Sequence, residues 1–253
     1  MIAITREISP SIVRCELTHV ARAPIDVELA RRQHEEYERC LASAGCTIRR
    51  LPSDAAMPDS VFVEDVAVVF DELALVTRPG AVSRRIETPA VADALRSLRT
   101  LRYIEPPGTL DGGDALVTGR RVFIGRSSRT NDAGIAQARS ILEPFGYQVA
   151  GIDLTGCLHL KSAVTAIDDC RLVVNADWVA VDVFEGFELV AVDASEPFAA
   201  NVLRIGERLI CAEAHPRTAR RLERCGFAVS TVDMSETAKA EGGVTCCSLV
   251  LRD

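Results

Sequence analysis

Residues 241–253 read EGGVTCCSLVLRD: two glycines, a pair of adjacent thiols, then one apolar run. Four other stretches share the polar or glycine-rich lead-in, but each carries two apolar runs joined by a short turn. They are SVFVEDVAVVFDELALVTRPG (60–80), DGGDALVTGRRVFIGRSSRT (111–130), KSAVTAIDDCRLVVNADWVA (161–180) and FAANVLRIGERLICAEAHPRT (198–218). Paired apolar runs of strand length around a polar turn predict β-hairpins. The C-terminal stretch lacks a second run, and MIAITREIS at 1–9 supplies one. The units begin roughly every 40–50 residues, the spacing of repeat architectures.

Helical patterns fall between the hairpins. Residues 26–44 place apolar side chains at helical spacing and stop at Gly45. Residues 88–100 begin with Thr88 as the expected N-cap and Pro89 in the first turn. Residues 131–146 and 216–226 each end at a glycine. Hairpin and helix thus alternate, and two architectures satisfy that order. One is a five-bladed α/β propeller of ββαβ units, its ring closed by the N- and C-terminal strands. The other is a doubly wound α/β sheet. No Gly/Ser-rich linker interrupts residues 1–253, so a single domain is expected.

The 253 residues are 48% hydrophobic, enough to fill a substantial core. No apolar window of about 18 residues is present, so no membrane-spanning helix is expected. The N-terminal stretch lacks the basic-then-apolar pattern of a signal peptide. A net charge of −7 disfavours nucleic acid or an anionic membrane as partner. The nine cysteines are scattered without a CxxC pair. That disfavours a disulfide framework or zinc knuckle and suits a reducing cytoplasm.

Adjacent thiols in a strand are ordinarily small buried hydrophobes. Strand alternation turns Cys246 and Cys247 to opposite sides, so only one can face a given pocket. Gly242 and Gly243 would let a ligand approach the backbone closely. A nucleophilic thiol also needs a base. Of the histidines, His34 sits among charges on a helix and reads as solvated, His215 opens a helix, and His19 lies in an irregular segment. His159, between leucines in CLHLKS, fits a core histidine or the base. Acids cluster at Asp59, Glu64 and Asp65, and again at Asp111 and Asp114, at matching points of two units. Carboxylates beside apolar strands are costly unless exposed, paired or used. Arginines follow the second strand of the same units: Arg78, Arg84 and Arg85, then Arg126 and Arg129. A guanidinium is suited to fork a carboxylate. Excess acid together with arginines suits a ligand that is cationic at one end and a carboxylate at the other. An amino acid with a guanidinium side chain is one such ligand, although spacing alone does not select it.

The motifs PDSVFVEDVAVV, TRPGAVSRRIE, GTLDGGDAL, GRSSRTN, LHLKS and GGVTCCS occur in this order over nearly the whole chain. Together they resemble the dimethylarginine dimethylaminohydrolase family, of the guanidine-modifying superfamily with the pentein propeller fold. The resemblance implies the propeller rather than the open sheet. It implies Cys246 as nucleophile, His159 as general acid/base and Asp111 as the acid that assists it. Asp59, Glu64 and Asp65 match acidic substrate contacts, and Arg84 and Arg129 match a pair gripping the substrate α-carboxylate. Leu17 and Ala240 match positions that contact substrate through backbone carbonyls, Ala240 being smaller than the aliphatic residue expected. The implied reaction hydrolyses asymmetric dimethylarginine or monomethylarginine to citrulline and dimethylamine or methylamine, through a thiouronium on the cysteine. It calls for no metal or organic cofactor. The implied partner is a small-molecule substrate, and the implied protein is a cytoplasmic monomer or homodimer in arginine metabolism and nitric oxide regulation. Two alternatives stand beside this reading. Arginine deiminases resemble a longer chain with a helical insertion for which 253 residues leave no room. A non-catalytic propeller, such as the ribosome anti-association factor, need not keep Cys246, His159 and Asp111 together.

Overall fold

The N-terminal strand β1 (Ile2–Arg6) lies between β2 (Thr47–Leu51), which runs parallel to it, and the C-terminal strand β15 (Leu249–Leu251), which runs antiparallel. Ile2 faces Leu251 and Ile4 faces Leu249 across that pair. The terminal segment with one strand therefore takes its partner from residues 1–9, as the sequence predicts. The computed structural model describes residues 1–252.

Four more three-stranded sheets repeat the pattern of an inner strand antiparallel to a middle strand, which is parallel to an outer one. They are β3 (Ala67–Val69), β4 (Leu73–Val76) and β5 (Thr100–Tyr103), then β6 (Ala115–Thr118), β7 (Arg121–Arg126) and β8 (Gln148–Asp153). Next come β9 (Val164–Ala166), β10 (Arg171–Val174) and β11 (Glu188–Ala191), then β12 (Leu203–Ile205), β13 (Arg208–Ala212) and β14 (Ala228–Val232). Parallel neighbours need a crossover connection. Helices α1 (Val27–Ser43), α2 (Thr88–Arg96), α3 (Asp132–Leu142) and α5 (Pro216–Arg224) supply it in four sheets. Two short helices, α4 (Leu160–Ala163) and α6 (Ser235–Ala238), sit outside these crossovers.

Apolar burial closes the ring. One cluster joins Ile4, Leu249 and Leu251 to Ala74 and the α2 residues Val91 and Leu95. The next joins Leu73 and Leu75 to Val122, Ile124 and α3. A third joins Leu116 and Phe123 to Val164 and Leu172, and a fourth joins Val173 to Leu209 and Leu222. The last joins Ile205 and Ile210 to Ala3, Tyr37 and Leu41. Each sheet therefore buries one face against the next and the fifth against the first. This is a five-bladed α/β propeller, and the doubly wound alternative is excluded. Side chains such as Tyr37 and Leu41 are fully buried, worth roughly 1.5–3 kcal/mol each.

Local signals account for most boundaries. Asp26 caps α1 by accepting the Leu29 N–H at 2.9 Å, and Asn131 caps α3 through Gly134 at 2.8 Å. Gly45 after α1 takes a left-handed φ of 96°. Three expectations fail. Thr88 is not an N-cap: a 3-10 turn over Val82–Glu87 runs straight into α2, so Thr88 is already helical and its hydroxyl donates to the Arg85 carbonyl. The β9–β11 unit has no crossover α-helix, and a 3-10 turn, Val181–Phe184, links β10 towards β11, with Phe184 edge-on to Phe123. His34 is buried rather than solvated, stacked on Tyr37 and with Nε2 3.5 Å from Glu38.

The five inner strands surround a channel of about 300 Å³, with Val69, Val117, Ala166, Leu203 and Val250 among its walls. Glu64, Lys161 and Thr245 also line it. Glu64 and Lys161 form an ion pair (2.5 Å), and neither lines the cavity described next.

Candidate active site

Each inner strand is preceded by a lead-in segment, and the five segments meet at one end of the ring. Glu64 and Asp65 precede β3, Asp111 and Asp114 precede β6, and His159 precedes α4 and β9. Cys246 precedes β15. A small cavity of about 20 Å³ lies among Asp59, Asp65, Arg84, Arg129, His159, Ala240 and Cys246. That is room for about one water, so an amino acid enters only if the wall moves.

The thiols occupy a turn rather than a strand. They still diverge: half-buried Cys246 lines the cavity, while Cys247 is fully buried in the apolar cluster beside Tyr37. The turn brings the Gly243 N–H to 3.3 Å from Cys246 Sγ and ties Cys246 N–H to the Gly243 carbonyl. Protein occupies the space expected for a ligand at the glycines. A Cβ on Gly242 would lie 2.2 Å from the Phe62 ring, and one on Gly243 would lie 2.4 Å from Asn201 Oδ1. Burial, then the carboxylates of Glu64 and Asp65, push the Cys246 thiol up to about 12. The Cys246 thiol is therefore protonated at neutral pH.

His159 is held between two carboxylates. Nε2 lies 3.2 Å from Asp111 Oδ2 and Nδ1 lies 3.7 Å from Asp65 Oδ1. Burial lowers the imidazole pKa, but Asp65, Asp114 and Asp111 outweigh it and hold it at about 9. At neutral pH it is an imidazolium, able to donate a proton. Asp111 is fully buried, and its other oxygen accepts the Gly80 N–H at 2.9 Å. Asp114 stays behind the site. It accepts from Ser127 and Thr130 at 2.6 Å each and from the Leu160 N–H at 3.0 Å, which fixes the backbone next to His159. Its burial pushes its pKa up to about 6.

Asp65, although buried, is held below the ordinary carboxylate range by His159, Arg84 and the Gly113 N–H. Asp59 is pushed up to about 6 by burial, only partly offset by Arg84 and the Glu16 N–H. Glu64 is buried behind the thiol, engaged by Lys161 and by the Thr245 hydroxyl at 2.7 Å, and it lines the channel rather than the cavity. Arg84 is already committed: it pairs with Asp65 and with Glu87 (2.8 Å) and donates to the Phe62 carbonyl at 3.0 Å. Arg129 makes one side-chain contact among the described residues, to Thr18 Oγ1 at 3.4 Å, and keeps donors to spare. Gly80 lets the two arginine loops touch, because a Cβ there would lie 2.4 Å from the Arg129 carbonyl oxygen. The remaining arginines turn elsewhere: Arg78 to the Gly108 carbonyl, Arg85 to the Pro79 carbonyl, Arg126 to Asp132 and Asp153.

Sequence reasoning missed the residues that hold the wall. The segment from Cys15 to Ile25 has neither helix nor strand. Leu17, within it, packs half-buried against the core. Asp59 accepts the Glu16 N–H, Ser83 Oγ donates to Glu16 at 2.7 Å, and Glu241 accepts the backbone N–H groups of Thr18, His19 and Val20. Glu241 does this with a left-handed φ of 59°, uncommon for a side chain of its size. An acid beside two glycines looks solvated in sequence, and only its distant partners mark it. Asp65, Asp111 and His159 also have ligand atoms within 4.8 Å of one another, a spacing that would fit a metal ion. Their atoms are already paired among themselves, with Arg84 and with backbone N–H groups. All nine cysteines are unpaired, and among the described residues no helix is long and apolar enough to cross a membrane.

Comparison with known proteins agrees with this geometry. The sequence model of eukaryotic N,N dimethylarginine dimethylhydrolase matches residues 20–182. The N(G),N(G)-dimethylarginine dimethylaminohydrolase of Streptomyces coelicolor is 42% identical, covering 99% of this chain and 97% of the relative. That of Pseudomonas aeruginosa is 37% identical over 88% and 89%. A solved cysteine-to-serine variant of the Pseudomonas enzyme, bound to citrulline, superposes with a TM-score of 0.93 at 35% identity over 98% and 97%. The N-terminal domain of ArgZ, a cyanobacterial arginine dihydrolase, shares the fold at 16% identity with a TM-score of 0.88, over 98% of this chain and 96% of that one. A thiol, an imidazolium and paired carboxylates converge in a five-bladed propeller, and close relatives extend along its whole length: the chain belongs to the dimethylarginine dimethylaminohydrolase family.

Proposed function

We propose that this chain hydrolyses methylated arginines, asymmetric dimethylarginine and monomethylarginine, to citrulline and dimethylamine or methylamine. The observation that carries the reading is the convergence of Cys246, His159 and Asp65 on one cavity, with Asp111 paired to His159.

A guanidinium carbon is a weak electrophile because its charge is delocalised. Acidic side chains at the cavity offset the substrate's cost of leaving water and orient its nitrogens. The substrate cation opposes the carboxylate field that keeps Cys246 protonated, so binding lowers the thiol pKa and the proton leaves to solvent. Thiolate then attacks the guanidinium carbon and forms the C–S bond. As the C–N bond to the methylated nitrogen breaks, the His159 imidazolium gives its proton to the departing amine. A cationic thiouronium remains on Cys246. Neutral His159 takes a proton from water as that water attacks the same carbon. The C–S bond breaks, the new hydroxyl loses its proton to solvent, and citrulline leaves with Cys246 as thiolate and His159 recharged.

Arg129 has the free donors to take the α-carboxylate, and Arg84 adds charge from beneath while holding Asp65. The carbonyls of Leu17 and Ala240 face the substrate's amino end once the 15–25 segment opens and recloses. A cytoplasmic location, with a role in nitric oxide regulation, suits nine unpaired thiols and a substrate of this class. Citrulline release from asymmetric dimethylarginine, with arginine in parallel, tests the reading. Turnover of arginine alone moves the protein to the deiminases, and turnover of neither returns it to a binding propeller.

A further inference from the structure

Four of the five lead-in segments carry the residues discussed so far. The fifth, ahead of β12, offers one polar side chain in FAANV, Asn201. Its amide is used on both sides. Nδ2 donates to the Lys161 carbonyl and to Thr245 Oγ1, each at 3.0 Å, and Oδ1 accepts the Thr245 N–H at 3.0 Å. Lys161 lies two residues after His159, and Thr245 lies one before Cys246. The circuit continues: the Thr245 hydroxyl donates to Glu64 Oε2 at 2.7 Å, and Glu64 Oε1 holds Lys161 Nζ at 2.5 Å. The same amide lies against Gly243, where a Cβ would come within 2.4 Å of Asn201 Oδ1. Gly243 is the residue whose N–H reaches the Cys246 sulfur.

Resting on the catalytic reading above, we infer that Asn201 is a positioning residue for the reaction: it locks the Cys246 turn to the His159 segment and holds the Gly243 N–H on the sulfur. Asn201 touches no reacting atom. Its effect is on where the thiolate sits relative to the imidazolium, and on the one N–H available to the sulfur when negative charge returns to it as the C–S bond breaks. Three hydrogen-bonding groups from two other lead-in segments depend on one planar amide. Neither a hydroxyl nor a carboxylate offers a donor and an acceptor at that separation.

The test uses Asn201→Ala and Asn201→Asp, with circular dichroism melts to confirm folding. Asn201→Asp keeps the shape and the acceptor but loses both donors, so it serves if the alanine variant does not fold. The expected result is a kcat lower by about 10–100-fold with KM within about threefold, since sub-ångström misplacement acts on the reacting geometry rather than on binding. Alkylation of Cys246 by iodoacetamide at about pH 8, followed peptide by peptide, slows in both variants. Gly243→Ala, which must push the same amide away, gives a similar loss, and the double variant Asn201→Ala/Gly243→Ala is no worse than the poorer single one. Wild-type kcat in a folded variant, a change confined to KM, or unchanged alkylation overturns the assignment. If the wild type itself releases no citrulline, the catalytic reading fails, and the alkylation rates alone decide the positioning role.

Discussion

Asp111→Asn removes one negative charge beside His159 at nearly constant shape. The wild-type imidazole stands at about 9 against an ordinary 6.5, because Asp65, Asp114 and Asp111 overcome its burial. A rise of about 2.5 is about 3 kcal/mol at about 1.4 kcal/mol per pKa step. Asp111 is one of three carboxylates and the one within hydrogen-bonding distance, so its share is about 1 kcal/mol or somewhat more. The imidazole of the variant should therefore titrate about one pH unit lower. In the proposed mechanism amine departure needs the protonated ring, so activity should fall as pH rises through its pKa. Citrulline release measured across the alkaline range should show the basic limb displaced about one unit towards acid, with a lower plateau. Stability provides a second readout. Folding raises this pKa, so its contribution is fully present below 6.5 and is lost as pH rises through about 9. The gap in melting temperature between wild type and variant should thus be wider near pH 6 than near pH 10. A basic limb that stays in place, with a stability gap independent of pH, would refute the electrostatic account of His159.

Cys246→Ser should abolish turnover, while Cys247→Ser should keep most of it at a stability cost of about 1–3 kcal/mol for burying a hydroxyl in the apolar cluster. A dead Cys247 variant with an active Cys246 variant would reverse the assignment. Arg84→Ala and Arg129→Ala should part ways. The first strands the buried carboxylates of Asp65 and Glu87 and should cost about 3–5 kcal/mol in denaturant unfolding. The second should leave the melting temperature nearly unchanged and raise KM, and equal destabilisation by both would contradict the geometry. Glu241→Ala releases three backbone N–H groups of the 15–25 segment, so hydrogen exchange at Thr18, His19 and Val20 should quicken and KM should rise. Unchanged exchange there would show that Glu241 does not hold the wall.

Local chemistry wrote much of this protein into its sequence. Alternating apolar runs, turn glycines and the Asp26 and Asn131 caps depend on neighbours a few residues away, so hairpins and helices are legible without coordinates. The pairing of residues 1–9 with residues 249–251 is also legible, because a lone strand leaves backbone groups that need a partner. Motif resemblance then singled out Cys246, His159 and Asp111. What the sequence could not show depends on residues far apart meeting in space. Burial of His34 depends on the packing of α1, and the saturation of Arg84 depends on Glu87 and carbonyls folding around it. The imidazolium state of His159 comes from carboxylates on other blades in a dry site, where Coulomb interactions are strong. Glu241 and Asn201 look ordinary in sequence because their partners lie 221–223 and 40–44 positions away, and closing the ring is what brings them together.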